Sequence, residues 1–267
     1  DETSAVYIVD ATGTTDRLLV ASGGGASVTS AVQTLFTKAA EQQHRTVAVE
    51  DLVPFNPNDG RGMSGFYLVT AWAVGGYLFA TMLGMAKGLR PANVPRAIWR
   101  IASTLPYAAL SGIGGAVIAG KVLGALGGQF WQVAAVGMLV TLSSSTVAIA
   151  LQTLFGSIGI GLTVLIFVVL GNPSAGGAYQ APLLPPFWRA LGAVLPNGAA
   201  TDALRRILYF AGHGAGHGVA VLLAWVAAAT VTALAGAVRH HRDNPDTVHA
   251  VFGGWRHPGY RASLEGA

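Results

Sequence analysis

The stretch WQVAAVGMLVTLSSSTVAIALQTLF, residues 131–155, contains no charged side chain. It is longer than the roughly 20 apolar residues that a helix needs to cross a bilayer. Its hydroxyl cluster is tolerated in lipid, because serine and threonine hydroxyls can hydrogen-bond to carbonyls of their own helix. The stretch therefore predicts a transmembrane helix, with the cluster serving either a polar path or contacts between helices. The cluster consists of Ser143, Ser144, Ser145 and Thr146.

The acid-free character of this stretch extends in both directions. The chain has 12 acidic residues, yet none lies between Asp59 and Asp202. A carboxylate at the centre of a bilayer costs about 2.5–3.5 kcal/mol, so lipid explains such a window better than water does. Four more long apolar segments accompany the first. We predict five spans at about 64–86, 97–120, 130–152, 155–171 and 217–238.

Composition agrees with an α-helical integral membrane protein. Hydrophobic residues are 52% of the chain and charged residues only 10%, whereas a soluble domain has about 25% charged residues. The net charge is +4, but the basic residues lie at the predicted membrane edges, which argues against a nucleic-acid partner. There is no cysteine for a disulfide or thiolate metal site. Residues 60–201 contain no carboxylate that could bind a metal ion or act as a general acid. We therefore predict that the chain is not an enzyme and holds no metal or cofactor.

Residues 1–63 have a different pattern from the rest of the chain. Short β-prone runs flank an amphipathic helix near 27–43, in the order strand, strand, helix, strand. This is too little chain to bury a good core alone. We interpret residues 1–63 as the C-terminal part of an extracytoplasmic α/β domain, and expect a further transmembrane helix upstream.

Lysine and arginine predict the orientation. The connection after the first span and the tail at 239–267 are richest in basic residues, and alternating spans place both on one side. That side is predicted to be cytoplasmic, with residues 1–63 and 172–216 outside a bacterial inner or plasma membrane. The basic connection is a candidate docking surface for a partner. Its residues are Lys87, Arg90, Arg96 and Arg100.

Prolines break the 172–216 connection into two short amphipathic helices at about 183–210. We expect them to be half-helices in the outer interface, or alternatively a surface helical hairpin. Asp202 is expected to pair with Arg205 or Arg206 at helical spacing.

Small residues recur at every fourth position in the first two spans. Such stripes allow helix backbones to approach closely in lipid. The stripe serves either packing within the chain or an interface with a second copy. Its members are Gly76, Ala80, Gly84, Gly112, Ala116 and Gly120.

Several strings suggest a family. VEDLVP at 49–54, DGRG at 59–62, GNPSAGG at 171–177 and LPNGAA at 195–200 resemble the phage-infection-protein family of bacterial membrane proteins. The order of parts is similar to the permease fold of type-2 ABC exporters. The resemblance implies a six-helix membrane unit, of which five helices are present here, with a large outer domain. Family members are often dimeric and act in export or as surface receptors for phage.

The predicted function is a permease-like subunit of an ABC-type exporter, energised by a separate ATPase. The chain has no nucleotide site of its own, because the near-match G-x4-GK at 115–121 lacks the following Ser or Thr. The alternative is a non-transporting scaffold or receptor that anchors an outer binding domain. A proton-driven transporter is disfavoured, since such machines place acids or histidines within the bilayer. The expected partners are lipid, an ATPase, and a second copy or other membrane subunits.

Overall fold

A computed structural model describes residues 5–243, so the predicted tail beyond residue 243 lies outside the described part of the chain. The N-terminal segment forms a small three-stranded sheet in the order β1-β2-β3. The first pair of strands is antiparallel and the second is parallel, with helix α1 as the crossover. The elements are β1 (Ala5–Ile8), β2 (Thr15–Val20), α1 (Ala26–Gln42) and β3 (Thr46–Asp51).

A buried ion pair organises the sheet. Asp16 is only 1% exposed and accepts hydrogen bonds from Arg45 Nε at 2.8 Å, from the Tyr7 hydroxyl and from the Asp10 amide. The Arg45 guanidinium and the Tyr7 hydroxyl hold the pKa of Asp16 well below its ordinary value. The carboxylate thus ties both ends of the β1–β2 connection to the residue that precedes β3.

We expect Asp16→Asn to loosen this sheet in a pH-dependent manner. The folded pKa lies below the unfolded value of about 3.9, so the stabilisation is complete above that pH and is lost as pH falls through the folded pKa. Amide hydrogen exchange of β2 and β3 should therefore be faster in the variant at pH 7. The difference should shrink as the pH falls below about 4.

Glu50→Gln provides the matched control for that experiment. Glu50 pairs with Arg17 on the same sheet, but the two side chains are 51% and 59% exposed. Exposed pairs contribute little to stability, so exchange in this variant should follow the wild type. Equal exchange in the Asp16 and Glu50 variants at pH 7 would contradict the role given to Asp16.

Five helices are long and apolar enough to cross a membrane, as predicted. The second runs three residues further at its start than predicted, because Asn93 caps it by accepting from the Arg96 amide at 3.0 Å. The fourth begins only after Gly156, whose φ of +59° makes the tight turn after α4. The spans are Ser64–Lys87 (α2), Val94–Val122 (α3 to Ala116, then a π-helical turn), Phe130–Phe155 (α4), Ser157–Ser174 and Gly216–Arg239.

The last two spans need a fuller description. Span Ser157–Ser174 comprises α5 (Ser157–Val164), a π-helical stretch (Leu165–Leu170) and the short α6 (Gly171–Ser174). Two helices then precede the final α9 (Gly216–Asp243), namely α7 (Pro186–Val194) and α8 (Pro196–Tyr209).

Helix α4 is the centre of the bundle. Its apolar window is 83% buried, against 22–33% in the other four spans. Helices α2, α3 and α9 pack along it, and α5 and α8 contact it as well. The uncharged stretch at 131–155 is therefore surrounded by protein, and the other four spans have more exposed surface.

Trp72 fills the junction of α2, α3 and α4. The side chain is 3% exposed, and its indole Nε1 donates to the Ser111 carbonyl of α3 at 2.9 Å. Gly115 and Gly137 face the ring, and a Cβ on either residue would overlap it. Glycine on two neighbouring helices thus creates the space for one large aromatic side chain.

The two predicted half-helices differ in their surroundings. Helix α7 has no buried residue. Helix α8 packs against α9, α4 and α2 and buries a full side, including Leu204 at 0% exposure. Only α7 therefore resembles a surface helix, and α8 is a part of the bundle.

Candidate functional site

The hydroxyl cluster lies in the middle of α4, where all four residues are at most 1% exposed. Ser143, Ser145 and Thr146 donate to carbonyls of α4 itself at 2.7–2.9 Å, and Ser144 does so at 3.2 Å. The expectation of hydrogen bonds between helices is wrong for these four. A carbonyl three or four residues back is the nearest acceptor for a helical hydroxyl. None of the four is accessible to water, so they do not line an open path in this conformation.

Polar bonds between helices occur on either side of that cluster. Thr141 Oγ1 donates to Ser111 Oγ at 3.3 Å, and Gln152 Nε2 donates to Thr81 Oγ1 at 3.3 Å. Sequence reasoning did not single out these residues. The bond of Gln152 could have been predicted from the sequence. A side-chain amide in an uncharged apolar stretch needs a hydrogen-bond partner when it is buried.

Five members of the small-residue stripe pack against the rest of the chain. A Cβ on Gly76 would overlap Ser144 Oγ, and one on Gly112 would overlap the Ala134 carbonyl, both on α4. Gly84 lies equally close to Gln152, and Ala80 and Ala116 are each 1% exposed. These five positions are therefore not available to a second copy.

Gly120 departs from the stripe. Nothing lies within 4 Å of the position that its Cβ would occupy. The residue falls in the π-helical turn Val117–Val122, and the wider turn shifts the four-residue periodicity of the stripe. Gly120 therefore packs against no neighbour within the described residues, and its place in an interface with a second copy stays a prediction.

The predicted docking surface divides into two groups. Lys87, Arg90 and Arg96 are exposed. Arg100 is 4% exposed and donates to the carbonyls of Leu89 at 3.0 Å, Lys87 at 3.0 Å and Gly88. Arg100 is therefore a cap for the C-terminal end of α2 and not a docking residue. A guanidinium suits this position because its several N–H groups match the free carbonyls of a helix end.

Arg90 links the connection between α2 and α3 to the end of α4. Its Nη2 donates to the Leu154 carbonyl at the end of α4 at 3.3 Å. The α2–α3 and α4–α5 connections, residues 88–93 and 156, thus lie at one end of the bundle, which we call the basic end. The turn Ser22–Gly24, which follows β2 of the small sheet, contacts α8 at the other end, which we call the sheet end.

The predicted ion pair lies at the sheet end. Arg206 Nε donates to Asp202 Oδ2 at 2.7 Å, at the i,i+4 spacing. Arg205 instead donates from Nη2 to the Gly176 carbonyl at 2.9 Å, so of the two expected pairings the structure has the one with Arg206. Burial lowers the pKa of the Arg205 guanidinium, which nevertheless stays protonated at neutral pH.

Asp59 and Tyr209 join the spans to α8. Asp59, 3% exposed, accepts from the Ser64 amide at 2.9 Å and so caps α2. The Tyr209 hydroxyl donates to the other carboxylate oxygen. Burial and this hydrogen bond raise the pKa of Tyr209. The last acid before the acid-free window is therefore a buried structural carboxylate, and sequence reasoning had treated it only as the border of the window.

A cavity of about 380 Å³ separates the sheet segment from α8. One wall is the start of α1, where Thr29 lies, and the opposite wall is α8 with Arg205 and Arg206. Within residues 5–243, no group of three or more His, Asp or Glu is placed to hold a metal ion. The remaining lining residues are Ala21, Gly24, Gly25, Val28, Gln180, Ala181, Pro182, Asp202, Phe210 and His213.

Comparison of the chain with protein-family models, curated proteins and solved structures found no match. The resemblance to the phage-infection-protein family accordingly stays a prediction.

Proposed function

We propose that this protein is the membrane-spanning, permease-like subunit of an exporter whose energy comes from a separate ATPase. The observation that carries the proposal is the basic end of the bundle. Lys87, Arg90 and Arg96 are exposed there, beside connections that contain no carboxylate. Under the positive-inside rule this end faces the cytoplasm, which is where an ATPase has access to ATP.

The absence of acidic residues from the spans supports an energy source outside this chain. None of the five candidate spans contains an Asp or Glu. A proton-coupled carrier normally needs an acid or a histidine within the bilayer, and the one histidine of these five spans, His217, is exposed in the first turn of the last span. A path between these helices would thus require movement driven from outside the bilayer, and α4 is the helix that all such movement would involve.

Charge reversal at the basic end tests the proposal. We expect the wild type, purified in mild detergent from native membranes, to carry a subunit with measurable ATPase activity. The double variant K87E/R96E should lose that subunit, because both side chains are exposed and reversing them creates repulsion without affecting the core. The measurement is ATP hydrolysis per mole of purified protein, with the subunit identified by mass spectrometry.

K121E is the matched control, since Lys121 lies at the far end of α3, beside Phe130. It should retain the ATPase subunit. Wild-type protein that purifies without any ATPase would overturn the proposal.

The second candidate is a scaffold or receptor without transport. The dry, hydroxyl-bonded interior of α4 favours it, because that helix shows no open path in this conformation. Replacing Ser143 and Ser145 with alanine would remove hydroxyls that bond only within α4. Function that persists in this variant is compatible with either candidate, whereas loss of function in a correctly folded variant would count against the scaffold.

A further inference from the structure

We propose that the cavity between α1 and α8 binds a phosphate group, either free or as the headgroup of an anionic lipid. This site is distinct from the proposed docking surface for an ATPase, because it lies at the sheet end of the bundle and that surface lies at the basic end. It is built from a cationic wall, a helix N-terminus and a hydroxyl, that of Thr29, which lines the cavity.

The cationic wall is the side of α8 that carries Arg205 and Arg206, both half-buried. Arg205 uses one nitrogen for the Gly176 carbonyl and, among the described residues, forms no ion pair with a carboxylate. A guanidinium has five N–H donors, so further donors remain for a ligand. Among residues 5–243, the one carboxylate that lines the cavity is Asp202, which is already paired with Arg206. The lining thus carries a net positive charge.

The opposite wall is the first turn of α1. This helix of 17 residues has no acid in its first turn and no side-chain cap at Gly25. Its positive dipole end is therefore not compensated by an acid of its own, which favours an anion nearby. The Val28 amide is engaged by Gln180 Oε1 at 3.2 Å, so the loop before α7 holds this wall in place.

Thr29 supplies the independent indication of a ligand. It lines the cavity and is only 7% exposed, yet within residues 5–243 its hydroxyl has no hydrogen-bond partner. Within residues 5–243 the unpartnered polar side-chain atom that is sealed from solvent is Asn197 Oδ1, so the Thr29 hydroxyl is open to the cavity and available to a ligand there. A phosphate oxygen in the cavity would accept from this hydroxyl and from Arg205 together.

The position of the cavity fits a lipid headgroup. His213 lies three residues before the start of α9 at Gly216, and Tyr209 is bonded to the cap of α2. Two spans therefore begin beside the cavity, which places it at the boundary between lipid and water. Val28, Pro182 and Phe210 add an apolar part to the lining, suited to the glycerol end of a lipid.

The test uses the full chain in dodecyl maltoside micelles, which contain no phosphate. In one arm, inorganic phosphate is titrated in by calorimetry. In the other, phosphatidylglycerol or phosphatidylcholine is added and the retained lipid is counted by native mass spectrometry. Binding of phosphate alone identifies a free anion as the ligand, and selective retention of phosphatidylglycerol identifies a lipid. Wild-type protein that binds neither overturns the proposal.

Three variants locate the site. R205Q should weaken binding roughly tenfold or more, as expected for the loss of a charge-assisted hydrogen bond. T29V keeps the shape of the side chain and should weaken binding roughly threefold to tenfold. K121Q removes a charge elsewhere at the sheet end and should bind as the wild type does.

The same variants can also contradict the proposed phosphate site. If R205Q fails to fold, T29V decides, because the Thr29 hydroxyl forms no hydrogen bond within residues 5–243. Wild-type affinity in T29V and in any folded R205Q protein would overturn the assignment. Weakening in K121Q equal to that in R205Q would overturn it too, since it would indicate non-specific attraction to charge.

Discussion

Replacing Gly112 with leucine is expected to push α3 away from α4 and to lower the free energy of unfolding by about 3 kcal/mol or more. The new Cβ would overlap the Ala134 carbonyl and lie 2.7 Å from the Met138 amide nitrogen. Both are backbone atoms of the central helix, so they cannot move without shifting α4. Overpacking usually costs about 1–3 kcal/mol, and we expect at least the upper end, out of a total stability of about 5–15 kcal/mol.

Gly114 gives the control for this prediction within the same helix. Nothing lies within 4 Å of the position of its Cβ, so Gly114→Leu should leave the fold intact. The measurements are the monodisperse fraction in size-exclusion chromatography and the thermal midpoint. If both variants behave alike, the close approach of α3 and α4 is refuted.

Arg100→Ala is expected to destabilise the basic end by about 3 kcal/mol. The change leaves the carbonyls of Lys87, Gly88 and Leu89 without their donor. An unsatisfied buried polar group costs about 1–3 kcal/mol, and water recovers part of that loss at a helix end. Thermal unfolding in detergent should show the decrease, and Arg100→Lys should restore only part of it.

Arg96→Ala is the matched control, because Arg96 lies one turn earlier on α3 and is exposed. Its stability should stay within about 0.5 kcal/mol of the wild type. The pair also distinguishes structure from docking. Arg96 variants should affect partner binding at unchanged stability, whereas an Arg100 variant of wild-type stability would contradict the capping role.

The spans were predictable because lipid imposes a simple rule on composition. A helix in a bilayer needs about 20 apolar residues and excludes acids, and both features can be read without contacts. The five spans were accordingly found, with ends that differ by a few residues. The ends depend on local capping, such as that by Asn93 at the start of α3, which periodicity does not show.

The candidate sites were less predictable, since they depend on which neighbours meet. Arg90, Arg96 and Arg100 look alike in sequence, yet only Arg100 is buried against the end of α2. Gly120 continues the spacing of Gly112 and Ala116, but a π-helical turn displaces it. The cavity between α1 and α8 is lined by both Thr29 and Arg205, which are far apart in the chain, and no motif links them.

The sequence by itself therefore determined which segments favour lipid and which favour water. The free energy of placing a charged side chain in lipid depends on that single residue. These segments include the acid-free run around residues 131–155 and the basic connection after the first span. Only the tertiary structure decided that α4 is enclosed by the other helices, that its hydroxyls bond to its own carbonyls, and that a cationic cavity opens beside α8. Such properties belong to pairs of groups, and the distance between two groups is set by packing.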